Sequence, residues 1–157
     1  MELFPKKITK MKKIIALVAV VMISAGTIRA QSNSARPEMG KVCSVYSGEG
    51  IYVTTCRIGP EKNSEALVGV TGVDHQWNGR LFKAKVIRNN ANFDYEIQAD
   101  GKPYHIFIYR DNGGYSVYLK NYGSGKTEQR VTYDKWESQR CKPEYLLTEY
   151  LEQQEKK

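Results

Sequence analysis

The chain has 157 residues, 24 of them Lys or Arg against 17 Asp or Glu, which gives a formal charge of +7. Six of the basic residues and one acid fall within residues 1–30, so the rest carries 18 against 16 and is close to neutral. No basic run or patch remains to meet a phosphate backbone, and a nucleic-acid partner is not expected.

Residues 1–30 read as a cleavable export signal. Lys12 and Lys13 supply a positive start, Ile14 to Gly26 is an uncharged and mostly apolar run, and Ile28-Arg29-Ala30 ends on a small residue before polar Gln31. That order suits a signal peptidase. As a helix the apolar run would span only about 20 Å, short of a ~30 Å hydrocarbon core, so a retained anchor is disfavoured. Met11 is an alternative start to Met1. No membrane span is expected after cleavage, and the mature protein is expected to be periplasmic or secreted. Residues 31–41, polar and containing Pro37, read as a flexible leader to a single domain over 42–157. That length can bury a real core.

Cys43, Cys56 and Cys141 all lie in the expected exported part, where oxidation is permitted. Three cysteines allow one intramolecular disulfide and leave one thiol over. A bridge from Cys43 or Cys56 to Cys141 would close the longer loop, worth about 4–5 kcal/mol in the chain-entropy picture. Cys43–Cys56 is the competing pair, and spacing does not separate them.

From Val42 to Trp136 short β-prone runs alternate with turn residues. Ser47-Gly48-Glu49-Gly50 divides Val42–Tyr46 from Ile51–Ile58, and Asn78-Gly79 divides Glu65–Trp77 from Arg80–Arg88. Asp100-Gly101 divides Phe93–Ala99 from Lys102–Arg110. Such dipeptides suit type I′ hairpins. Asn89 to Asn92, Asp111 to Gly114 and Asn121 to Lys126 supply the other reversals. Phe93, Tyr95 and Ile97 share one face, Phe82, Ala84 and Val86 another, and Tyr115, Val117 and Leu119 a third. Period two with one apolar face marks a sheet wet on one side. Residues 104–109 are apolar on both faces, as in a central strand or one covered by a helix. Short connections make successive strands antiparallel neighbours. The predicted fold is therefore mainly β: an antiparallel up-and-down meander of about eight strands, closed into a small barrel or strongly curved. Pro143-Glu144 then opens a helix over residues 143–155. Its apolar stripe of Tyr145 or Leu146, Leu147, Tyr150 and Leu151 would lie across the sheet.

Chemistry-bearing motifs are sparse. His75 and His105 are the only histidines, and neither stands near a cysteine in a recognisable nucleophile context. No catalytic residue, metal ligand set or cofactor is expected, since H-x-x-x-H, C-x-x-C, a calcium loop and a phosphate loop are all missing. Tyrosine is unusually abundant, eleven in all. Tyr109, Tyr118, Tyr122 and Trp136 would form an exposed aromatic patch if the late strands are adjacent, Trp136 sharing an alternation with Arg130, Thr132 and Asp134. The leading expectation is an exported, non-catalytic module that binds a protein or envelope glycan through that face. A narrower form is an inhibitor of an extracytoplasmic hydrolase, with the Asp111–Tyr115 hairpin entering a cleft. In outline the chain has a loose likeness to lipocalin-like and small periplasmic inhibitor barrels, without a family motif, and a closed lipocalin-like barrel carrying a small apolar ligand is a further alternative. A thiol- or His-dependent enzyme is the least favoured.

Overall fold

The computed structural model describes residues 35–121 and 128–156; the expected export signal and Tyr122 lie outside them. Eight strands form a closed barrel in strict chain order. They are β1 (Met39–Gly48), β2 (Ile51–Ile58), β3 (Glu65–Thr71) and β4 (Arg80–Asn89). β5 (Asn92–Ala99), β6 (Lys102–Arg110), β7 (Gly114–Tyr118) and β8 (Glu128–Tyr133) follow. Every neighbouring pair is antiparallel, including β8 with β1. Two helices complete the chain, α1 (Lys135–Arg140) and α2 (Pro143–Glu155). No helix among the described residues is long and apolar enough to cross a membrane.

Asp100-Gly101 turns as its residues predict, whereas at Asn78-Gly79 only Gly79 has positive φ and the type I′ turn expected there does not form. Glu49-Gly50 and Asp100-Gly101 both hold positive φ at two successive positions, the condition for a tight hairpin between right-twisted strands. Inward positions then follow the period-two pattern. Val53, Val68, Val70, Ala84, Ile97, Phe107 and Val117 join one core inside the barrel. Residues 104–109 are apolar on both faces for a reason the alternation hides. The β5–β6 register pairs Tyr95 with Phe107 and Glu96 with His105, leaving Ile106 as an extra residue. This bulge brings consecutive Ile106 and Phe107 both into the core.

Closure is uneven. β8 is six residues long and β1 is ten, and the two pair only at Tyr46–Tyr133 and Ser47–Thr132. At this seam a Cβ on Gly48 would come 2.5 Å from the Arg130 carbonyl oxygen, so glycine permits the approach. Beyond Tyr46 the edge of β1 is taken over by the C-terminal segment. The Asp134 N–H donates to the Val45 carbonyl at 2.8 Å, and the Val45 N–H donates to Ser138 Oγ at 2.8 Å. α2 then crosses the outer wall. Leu147 is buried with Ile58 and Leu67, and Leu146, Tyr150 and Leu151 pack around them. Its far end is tied to β4, with the Leu81 N–H donating to Gln153 Oε1 and Gln153 Nε2 donating to the Gly79 carbonyl.

Three local expectations are corrected. The predicted Glu65–Trp77 strand stops at Thr71, and residues 72–79 fold over one end of the barrel. There Val73 and Trp77 enter the core, Trp77 being 4% exposed against Phe82 and Tyr104. Burying an indole outweighs a few more ladder bonds. The alternation expected to carry Trp136 ends at Tyr133. Asp134 accepts from the Glu137 N–H at 3.0 Å, caps α1, and leaves Trp136 on a helix at 68% exposure. The leader is shorter than residues 31–41, because β1 begins at Met39 and Arg36 donates to Thr148 Oγ1 and the Glu144 carbonyl of α2. In the α2 stripe, Leu146 faces the wall and Tyr145 is 74% exposed.

Trp77→Ala removes the plug of one barrel end and should lower unfolding free energy by about 3–5 kcal/mol, read from urea midpoints. A loss under about 1 kcal/mol would show that the loop does not seal the core.

Candidate functional site

The two barrel ends differ. One is sealed by residues 72–79, and the other is open. Above the Ile106–Phe107 bulge the inward side chains are rings that touch across strands. Phe107 lies 4.8 Å from Tyr46, 5.4 Å from Tyr95 and 5.9 Å from Tyr115, centroid to centroid. Tyr109 lies 5.0 Å from Phe93 and 4.6 Å from Tyr115. These separations suit offset and tilted aromatic pairs. Burial raises the Tyr46 and Tyr95 phenols above their ordinary range, so both stay protonated as hydroxyl donors.

Beside these rings the open end forms a mouth of about 360 Å³. Ser44, Thr55 and Tyr95 bring hydroxyls to its floor, and Arg57, Arg88 and Glu61 stand around it. The Thr55 hydroxyl donates to the Ser44 carbonyl at 3.5 Å, and its nearness to the Tyr95 phenol partly offsets the effect of burial there. Arg57 is already bound to Glu38 at 2.8 Å and to the Gly59 carbonyl. Arg88 differs. Its guanidinium lies 5.7 Å from the Phe93 ring centroid and has no carboxylate partner among the described residues. A cation held over a ring, beside three hydroxyls and an aromatic wall, can bind an acidic or hydroxyl-rich group.

Arg88 was within reach of sequence reasoning, because it continues the inward phase of Phe82, Ala84 and Val86. A charge at an inward position of a strand end marks a barrel mouth. Ser44 and Thr55 gave no such signal, since short hydroxyl residues occur on either face.

The expected aromatic patch is not assembled as one surface. Tyr109 belongs to the ring cluster inside the mouth. Tyr118 follows inward Val117 and so faces out, beside Ser116 and Glu128, with its phenol raised first by burial and then by Glu128. Trp136 stands on α1. The outer face of β5–β6 instead carries an ionic cluster. Arg110 grips Asp94 with both guanidinium nitrogens, and His105 reaches Asp94 at 2.8 Å and Glu96 at 3.5 Å. His75 accepts from the Trp77 N–H through Nδ1, so Nε2 donates to the Lys120 carbonyl at 2.6 Å. No group of three or more His, Cys, Asp or Glu among the described residues is arranged to hold a metal ion.

No family model, curated protein or solved structure matches this chain.

The Arg110 guanidinium first, and then His105, hold the Asp94 carboxyl below its ordinary range. A depressed folded value stabilises above the unfolded pKa of about 4 and is lost as pH falls through the folded value. Asp94→Asn should therefore unfold at lower urea than wild type at pH 7, with the gap narrowing as pH falls below the unfolded pKa and through the folded value. No gap at pH 7, or one that stays constant as pH falls, would show that the ionised carboxylate adds nothing to the fold.

Proposed function

We propose that this protein is an exported, non-catalytic binding module that takes a projecting polar group of an envelope glycan or a protein into the open mouth of its barrel. The observation that carries the reading is Arg88, charged, inward in phase, stacked on Phe93 and without a carboxylate partner, beside the Ser44, Thr55 and Tyr95 hydroxyls. A mouth lined by the Tyr95 ring and by hydroxyls suits a sugar or a peptide side chain, with a flat face for stacking and fixed polar groups for orientation. The export signal expected over residues 1–30 supplies the compartment, and the cysteines are then available for a disulfide.

The alternatives have less behind them. A carrier needs an apolar cavity, and here Tyr46, Tyr95, Phe107 and Tyr115 pack against one another across the barrel. A thiol enzyme needs a histidine beside a reactive cysteine, whereas both ring nitrogens of His105 face carboxylates. An inhibitor that presents the β6–β7 hairpin keeps one specific support. That hairpin is braced by the Asp111 N–H donating to Asn92 Oδ1 and by the Arg110–Asp94 pair.

Amide shifts followed while the full chain is titrated with N-acetylated glucosamine oligosaccharides and, separately, with acidic peptides test the proposal. Saturable shifts at Ser44, Thr55, Arg88 and Tyr95 are expected with one of the two. Arg88→Ala should weaken that binding about 10-fold or more, as loss of a charged hydrogen bond implies. Shifts confined to residues 110–114 would favour the hairpin, and no saturable response to either probe would defeat the mouth.

A further inference from the structure

The three cysteines, spread over most of the chain, meet outside the barrel wall. Cys43 and Cys56 are direct partners across β1 and β2, and each is 3% exposed. Cys56 also pairs with Leu67 of β3, which packs against Leu147 of α2, so this pair faces the helices and not the barrel interior. Cys141 occupies the extended joint between α1 and α2, fixed by its N–H donating to the Glu137 carbonyl at 3.0 Å. Cys141 lines one groove with Val45 and another with Lys41 and Val42, which places it beside the stretch of β1 that holds Cys43, and both Cys141 and Cys56 act on the Cys43 thiol.

The positions are not equivalent. Cys43 is the centre of the group. Cys56 is closed into the wall, its thiol directed at the Gly40 and Val42 carbonyls at 3.9 and 3.6 Å. Cys141 is only half-buried and lines an open groove beside Arg140 and Tyr52. Contact with the Cys43 S–H lowers both Cys56 and Cys141, because a thiolate at either accepts that bond, while the Cys43 thiol is raised. Exchange needs a thiolate that an incoming disulfide can reach, and Cys141 alone combines the two.

We infer that Cys43 and Cys141 form a disulfide by exchange with a small or protein disulfide, Cys141 being the entering thiol, Cys43 the resolving one and Cys56 a buried spare. The Cys141 thiolate attacks one sulfur of the incoming disulfide, forms a mixed disulfide and expels the other half as a thiolate. The Cys43 thiol loses its proton and attacks Cys141 Sγ, releasing the second half. Two protein thiols are oxidised, one external disulfide is reduced to two thiols, and the two protons lost by the protein thiols pass to the released thiolates. The bond staples the α1–α2 joint to the part of β1 that β8 does not reach. A Cys43–Cys56 bridge would lie within the β1–β2 wall and leave the joint untethered. The inference is independent of what the mouth binds.

Incubation of the reduced full chain with oxidised glutathione, quenching with N-ethylmaleimide and peptide mass mapping test it. A Cys43–Cys141 crosslinked peptide is expected, with Cys56 labelled only after unfolding. Cys56→Ala should form the same bridge, and Cys141→Ser should lose the fast phase of reaction with glutathione. The oxidised wild type should melt at a higher temperature than the reduced form. Cys43–Cys56 or Cys56–Cys141 as the main product, a disulfide-linked dimer, or three thiols still free after oxidation would each overturn the assignment. The wild-type map decides the pairing even if a variant fails to fold.

Discussion

The peptide group of Val45 is bonded on its outer side by the C-terminal segment rather than by a strand. Its carbonyl accepts from Asp134, and its N–H donates to Ser138 Oγ, whose own hydroxyl donates to the Asp134 carbonyl at 2.6 Å. An eight-stranded barrel has no free edge only if its last strand matches its first, and here the last is four residues shorter. A buried N–H left without a partner costs about 1–3 kcal/mol, so the remaining edge of β1 needs substitute acceptors. The segment after β8 provides them in register. Thr132 and Tyr133 pair with Ser47 and Tyr46, Asp134 and Ser138 serve Val45, Cys141 shares grooves with Val42 and Val45 of β1, and α2 receives Arg36. The helices are thus a continuation of barrel closure by other means. The meeting of three distant cysteines is a by-product of that path.

The same topology makes two unlike ends. Residues 72–79 bend over one end because Gly72, at φ 79°, lies so near the Gly50 carbonyl that a Cβ would come within 2.0 Å of it. With Trp77 below, that end is shut. At the other end the β4–β5 and β6–β7 turns are short, the 59–64 connection only borders the mouth with Glu61 and Ser64, and the inward phase runs out to solvent through Phe93, Tyr109 and Arg88. A closed base and a polar, ring-walled rim form a shallow receptacle, and the functional proposal rests on that asymmetry.

Much of the architecture was legible because it is local. Alternation of Phe93, Tyr95 and Ile97, two-residue turns such as Asp100-Gly101, and the proline opening of α2 at Pro143 each act within a few residues. What escaped depends on distant partners. Asn78-Gly79 reads as a hairpin dipeptide whether the preceding segment stays in the sheet or turns to bury Trp77. Asp134 to Glu137 has the spacing of a helix start, yet the tyrosine-rich alternation before it favoured one more strand. The aromatic residues were visible as a set, but period two alone does not say that Tyr109 and Tyr118 fall on opposite sides of one wall. Arg88 is in phase with the core, but a charge at the end of a β-prone run is equally consistent with a strand end facing water.

Amide hydrogen exchange at Val45 tests the closure most directly, since only the bond to Ser138 withholds that N–H from water. Closure by the C-terminal segment predicts that Val45 exchanges in the native full chain as slowly as the β2–β3 ladder amides. It also predicts that Ser138→Ala speeds Val45 selectively, with those ladder amides unchanged. Rapid exchange at Val45 in the unaltered protein, or a rate indifferent to Ser138, would contradict it.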